Sequence, residues 1–268
     1  MGLCVAALCA PASASAATYT VDTTADPTSD NECAVDCTLR EAVFVAGSAD
    51  TINVPPGDYA LQQGQLVLAS DNIRGTNART TIIRAAPSSR VIQVSGAETR
   101  ASITGVTITG GAPVAASAQQ QGGGILIDSG AILLLVDSAV GGNSANAAGG
   151  IMVNGALGMA RSTVSGNTAT SAAGGGIGVA NGGTASLTNS TVSGNGAEAT
   201  RLASGGGVYQ ATGQLPTAAT LRDTIVSGNV GGDCAGDAAT IAAWQGNHNL
   251  DRDGSCGFSA VGHESRLH

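Results

Sequence analysis

Near its end the chain reads Asp-Arg-Asp-Gly-Ser over 251–255, which sets the carboxylates of Asp251 and Asp253 one residue apart beside a glycine. Calcium takes carboxylate and carbonyl oxygens, and alternating aspartates before a glycine are how one familiar calcium loop begins. Such a loop needs several more ligands and a distal glutamate. Asp251 and Asp253 are therefore weak metal candidates, and a plain turn is the simpler reading. No other cofactor is expected. Asp137, Arg161 and Asp223 form a second set, at equivalent places in a repeat described below. Eliminating or hydrolysing a glycosidic bond would require carboxylates converging on one ion, or a carboxylate pair roughly 6.5–9.5 Å apart. In a stacked coil Asp137 and Asp223 would stand three turns, about 14 Å, apart, so they cannot share an ion. No catalytic constellation is assigned.

The cysteines are a third reactive set. Cys4 and Cys9 lie in an apolar N-terminal run that ends in small residues, Ala-Ser-Ala before Ala17. This fits a secretory signal over 1–17, although a positively charged start is missing. An exported chain would keep Cys33, Cys37, Cys234 and Cys256, an even number that predicts two disulfides. Three connectivities are open, with the local pairs Cys33–Cys37 and Cys234–Cys256 favoured. A zinc site is disfavoured because His248, His263 and His268 all lie at the far end.

The elements that position these groups follow from a repeat. The phrase Ser-Thr-Val-Ser-Gly-Asn occurs at 162–167 and 190–195, with relatives at 138–143 and 224–229. Its glycine recurs at Gly110, Gly142, Gly166, Gly194 and Gly228, at spacings of 32, 24, 28 and 34. Two residues earlier stand Ile108, Val140, Val164, Val192 and Val226, and five earlier again Ile103, Leu135, Met159, Leu187 and Leu221. The odd separation of the two aliphatic columns demands a bend, since one straight strand alternates its faces. A second signature, Gly-Gly followed by Ile-x-Ile or Ile-x-Val, adds a strand with period two at Ile125, Ile151 and Ile177. Three short strands per unit of 24–34 residues predict a solenoid. The fold class is all-β, a single-stranded parallel β-helix of about eight turns, stacked about 4.8 Å apart. Asn143, Asn167, Asn195 and Asn229 follow the glycine and are predicted to form a structural asparagine ladder.

Open solenoid ends must be capped. In Cys-Thr-Leu-Arg-Glu-Ala-Val over 37–43, Thr38 and Glu41 make a capping box, and Leu39, Ala42, Val43 and Ala46 share one face. A short N-terminal capping helix is predicted. The expected organisation is a signal peptide at 1–17, a front cap at 18–47, repeats at 48–230 and a disulfide-clasped turn and tail at 231–268.

Composition limits partners. Forty glycines, 2 % aromatics, no lysine and a net charge of −8 leave no basic patch for nucleic acid. No segment reaches the ~18 apolar residues of a membrane helix. Outward neighbours of the Val column, such as Thr163 and Ser165 or Thr191 and Ser193, predict a hydroxyl-rich face. Solvated strand positions are its default meaning, and fibre or ice binding a remote one. The long connections near 112–121 and 196–219 are expected on the surface, where binding residues concentrate.

The stretch Asn-Glu-Cys-Ala-Val-Asp-Cys-Thr-Leu-Arg-Glu-Ala-Val over 31–43 resembles the motif of CSLREA-domain proteins, with Thr38 where that motif has Ser. The Gly-Gly-x-Ile repeats and the ending Asp-Gly-Ser-Cys-Gly-Phe over 253–258 resemble choice-of-anchor Q bacterial surface proteins. The repeats also resemble those of polymorphic outer-membrane proteins. The resemblance covers roughly residues 18–258. It implies a right-handed, pectin-lyase-like β-helix, exported and held at the cell surface by varied C-terminal anchors, with no shared catalytic residues. The ten residues 259–268 match nothing in that pattern. The combined expectation is a secreted or cell-surface, monomeric structural or adhesive module that binds extracellular polysaccharide or another surface. The rival is a polysaccharide lyase or glycoside hydrolase of the same fold.

Overall fold

The computed structural model describes residues 16–28, 31–48, 50–114, 120–197, 204–211, 215–236 and 248–258. The signal segment up to residue 15 with Cys4 and Cys9, Trp244, and the tail 259–268 lie outside the described residues, as do parts of the long connections.

The chain winds as a parallel β-solenoid. Its three main sheets hold eight, eight and seven strands, and each sheet is built by strands from successive turns. One turn is typical. Ala156–Ala160 lies in the first sheet, Thr163–Ser165 in the second, Thr168–Ala169 in a small fourth sheet and Ile177–Val179 in the third. Every pairing is parallel and in register, so like sits on like. Leu135, Met159, Leu187 and Leu221 are direct neighbours, as are Val140, Val164, Val192 and Val226. Val164 and Val192 are wholly buried. Stacked aliphatic columns fill the narrow interior, which is why so few aromatics suffice.

The bend demanded between the two columns falls on Gly105, Asp137, Arg161, Asn189 and Asp223. All five adopt left-handed backbone, with φ between 48° and 69°. Residues placed this way, here and at the repeated glycine, turn the chain between flat strands.

At the front, Leu39–Val45 forms the one helix of the described residues. Thr38 caps it: its hydroxyl accepts from the Glu41 N–H while the Glu41 carboxylate accepts from the Thr38 N–H. Leu39 and Ala42 are buried, and Val43 and Ala46 pack against the same core. Strands also pair on either side of the repeats. Thr18–Thr20 pairs with Thr51–Val54, ahead of the helix. At the other end Cys234–Ala235 and Leu250–Asp251 each add a strand. These strands cover edges that the coil would otherwise leave open. Cys33 is bonded to Cys37 and Cys234 to Cys256.

Candidate functional site

The residues of the repeated phrase have separate structural roles. Asn143 Oδ1 accepts from the Gly111 N–H, and Asn167 Oδ1 accepts from both the backbone N–H and the Nδ2 of Asn143, at 3.1 and 2.9 Å. Asn195 does the same for Asn167, and Asn229 for Asn195. Each Nδ2 also donates to a backbone carbonyl: Ile108 for Asn143, Val140 for Asn167, Val164 for Asn195 and Val192 for Asn229. The amides thus satisfy buried backbone groups at the sharp corner where ladder bonding lapses. Glycine is required opposite them, because a Cβ at Gly150 or Gly176 would press on the Asn167 or Asn195 amide at 3.0 or 2.9 Å.

A second ladder escaped the sequence reading. Ser138, Ser162, Ser190 and Thr224 are the first residues of the four phrases, and all are buried. The Ser162 hydroxyl accepts from the Ser138 N–H and the Ser190 hydroxyl from the Ser162 N–H. Each hydroxyl donates to the carbonyl two residues back, those of Val136, Ala160, Thr188 and Arg222. The signal was present, since all four phrases open with Ser or Thr.

Both ladders end on the rear clasp. Asn249 Oδ1 accepts from the Thr224 N–H. Asp233 stands in register where earlier turns have glycine, and its Oδ1 accepts from the N–H and Nδ2 of Asn229, at 2.9 and 2.8 Å. Asp233 also joins Asp251 and Asp253, the two weak metal candidates, in a cluster whose carboxylate oxygens lie within 4.8 Å of one another. A cation could be held there, yet the carboxylates already have donors. Asp251 accepts from the N–H groups of Asp253, Gly254 and Cys256, and Asp253 from those of Asp233 and Ser255. Asp251 stacks on Val226 in the core column. Burial, with the Asp253 carboxylate alongside, pushes its pKa up to about 6. Burial also acts on Asp253, but donors from Ser255 and the Asp233 N–H outweigh it and hold that group below the ordinary carboxylate value.

Asp137, Arg161 and Asp223 do share one corner, and they do not converge. Arg161 grips Asp137 with two bonds of 2.7 and 2.8 Å, whereas Asp223 pairs with His248 at 3.2 Å. The hydroxyl-rich face is in register, with Thr163 beside Thr191 and Ser165 beside Ser193, and Ala139 and Gly141 interrupt it. Among the described residues no helix is long and apolar enough to cross a membrane.

These features define a right-handed β-helix protein whose interior polar groups are structural. A family model described as "Right handed beta helix region" matches residues 90–267, and the chain belongs to that family. No curated protein matches the sequence. Among solved structures it is similar to the pectin methylesterase from carrot, at 10 % identity and a TM-score of 0.49, covering 90 % of this chain and 72 % of that one. It is also similar to the pectin methylesterase PemA from Erwinia chrysanthemi, at 10 % identity and 0.44, covering 88 % and 70 %.

Proposed function

We propose that this protein is an exported, non-catalytic β-helix of the CSLREA and choice-of-anchor type, which holds or adheres to extracellular polysaccharide. The observation that carries this reading is the disposition of the charged groups. Asp26 with Arg40, Asp58 with Arg84 and Asp137 with Arg161 are paired off, and the one tight carboxylate cluster among the described residues is occupied by backbone donors. What the coil offers outward is a row of hydroxyls, interrupted at Ala139, Gly141 and Ile225 and otherwise repeated at one strand spacing of about 4.8 Å, which suits a polymer with its own repeat. Export is supported by the N-terminal run and by two disulfides, which persist in oxidising compartments.

The test is direct. Purified protein is incubated with insoluble neutral and acidic polysaccharides, with and without calcium, and both pelleted protein and released sugar ends are measured. Co-sedimentation without release is the expected result. Release of unsaturated or reducing ends would replace this reading with the lyase or hydrolase one. In the native host, recovery of the chain in the cytoplasm would remove the exported role.

A further inference from the structure

The corner between the third and first sheets carries a notch produced by unequal connection lengths. Four residues join Ile127 to Ile132 and four join Val179 to Thr184, but only Asn154 and Gly155 join Val153 to Ala156. The middle connection therefore recedes between two projecting ones. Both projecting connections are hydrogen-bonded turns. Ala131 donates to the Asp128 carbonyl around Gly130, whose φ of 82° makes the turn type II. Gly183 donates to the Ala180 carbonyl around Asn181 and Gly182, with φ of 52° and 82°, the type I′ pattern. The walls are fixed before any ligand arrives.

The notch measures about 440 Å³, within the range of small-ligand sites. Ser129, Asn154, Asn181 and Thr184 give it hydroxyls and amides, while Ile132, Leu215 and Pro216 give it an aliphatic side. Leu215 is 58 % exposed and lies beside Gly182 at the edge of the notch. No ionisable side chain lines the notch among the described residues. Asn181 Nδ2 donates to Asn154 Oδ1 at 2.8 Å, which orients both amides. The Nδ2 of Asn154 and the Oδ1 of Asn181 take no other hydrogen bond among the described residues. A fixed donor thus stands beside a fixed acceptor, next to an apolar wall.

We infer that this notch binds a short stretch of neutral polysaccharide. Adjacent sugar hydroxyls each donate and accept, so a vicinal pair matches the free amide donor and acceptor. The C–H face of the ring matches Leu215, Pro216 and Ile132. Uronate-rich chains are disfavoured, because the site offers no cation to a carboxylate and the protein carries a net charge of −8. The inference rests on the polysaccharide-binding reading above and gives it a site and a ligand class.

Calorimetric titration with cellohexaose, xylohexaose, mannohexaose and hexagalacturonate tests it, on the wild type, Ala156→Arg and an Asn154→Ala/Asn181→Ala double variant. Circular dichroism checks that each variant keeps its strands. At least one neutral hexasaccharide should bind, and hexagalacturonate should not. Ala156→Arg fills the floor of the notch and should abolish binding, and loss of the amide pair should weaken it about tenfold. Binding that is unchanged in both variants, or seen only with hexagalacturonate, overturns the notch. If the variants still co-sediment with an insoluble polysaccharide as the wild type does, the adhesive role stands and this site falls. If the wild type binds no polysaccharide in either form, both fall together.

Discussion

The two ends of the coil are sealed by opposite chemistry. At the front, a capped helix lays Leu39 and Ala42 over the open core, and an ion pair of unlike charges pins it. Arg40 holds Asp26 with two bonds of 2.8 and 2.9 Å and also reaches the carbonyls of Gly64 and Gln65. Asp26 in turn accepts from the N–H groups of Gln62 and Gln63. Burial alone would raise its pKa, but Arg40 and those two donors more than offset it, and the net shift is downward. At the rear, three like-charged carboxylates meet. There the direction of the ladders, which begin at Val106 and Gly111 in the body of the coil, gives one of these carboxylates its place. The asparagine rungs, and the hydroxyl rungs Ser138, Ser162 and Ser190, accept on their side-chain oxygens from the turn before, beginning with the backbone N–H groups of Gly111 and Val106. The last rungs are left with donors of their own, the N–H and Nδ2 of Asn229, and donors need acceptors. A carboxylate is an acceptor-only group and suits Asp233 to that place, while Asp251 and Asp253 accept from backbone N–H groups of the clasp itself.

This contrast can be broken from either side. Asp233→Ala should have the largest effect, because it leaves two donors of Asn229 and the Arg252 N–H without their acceptor. We expect a loss of about 3 kcal/mol in urea denaturation, most of it recovered in Asp233→Asn, which keeps an accepting oxygen. Arg40→Ala strands the Asp26 carboxylate beneath the front cap. A loss of about 2 kcal/mol is expected, with faster proteolysis confined to the first turns.

The third expectation concerns pH. Asp251 has a folded pKa of about 6 against a reference of 3.8, so folding favours its protonated form. Its stabilising contribution is complete below pH 3.8 and is lost as pH rises through 6. Asp251→Asn should therefore flatten that part of the stability profile, and its advantage over the wild type should be greatest above pH 6. A difference curve that is level from pH 4 to 7 would remove the raised Asp251 pKa from the account of the clasp. Smallest of all is Arg161→Ala. Its pair with Asp137 is solvent-exposed on the outside of a bend, and no shift in thermal midpoint should be measurable.

Much of the body was legible in the residues. The columns led by Val164 and Leu187 gave both the strand interiors and the bend between them, because a parallel coil repeats its local pattern in register. The asparagine ladder was legible for the same reason. The hydroxyl ladder could have been read from Ser162 and Ser190 with the same alignment, but serine at a strand start has an unremarkable solvated meaning, and only burial distinguishes the two. The third carboxylate was not legible. Asp251 and Asp253 stand together in the sequence, whereas Asp233 reaches them from about twenty residues away, across a segment whose length follows no repeat.

By itself, the sequence determined the coil, its inward aliphatic columns, its glycine corners and its front helix, since all of these depend on residue type at a recurring local position. Only the tertiary structure decided how the ends close and where the surface opens. Arg40 meets Asp26, Asp233 meets Asp253, and Asn181 meets Asn154 because connections of unequal length bring separate turns into contact. A local pattern fixes which way a side chain faces along its strand. It does not fix which residue of another turn will face it, and that second relation is the one that makes a cap or a binding site.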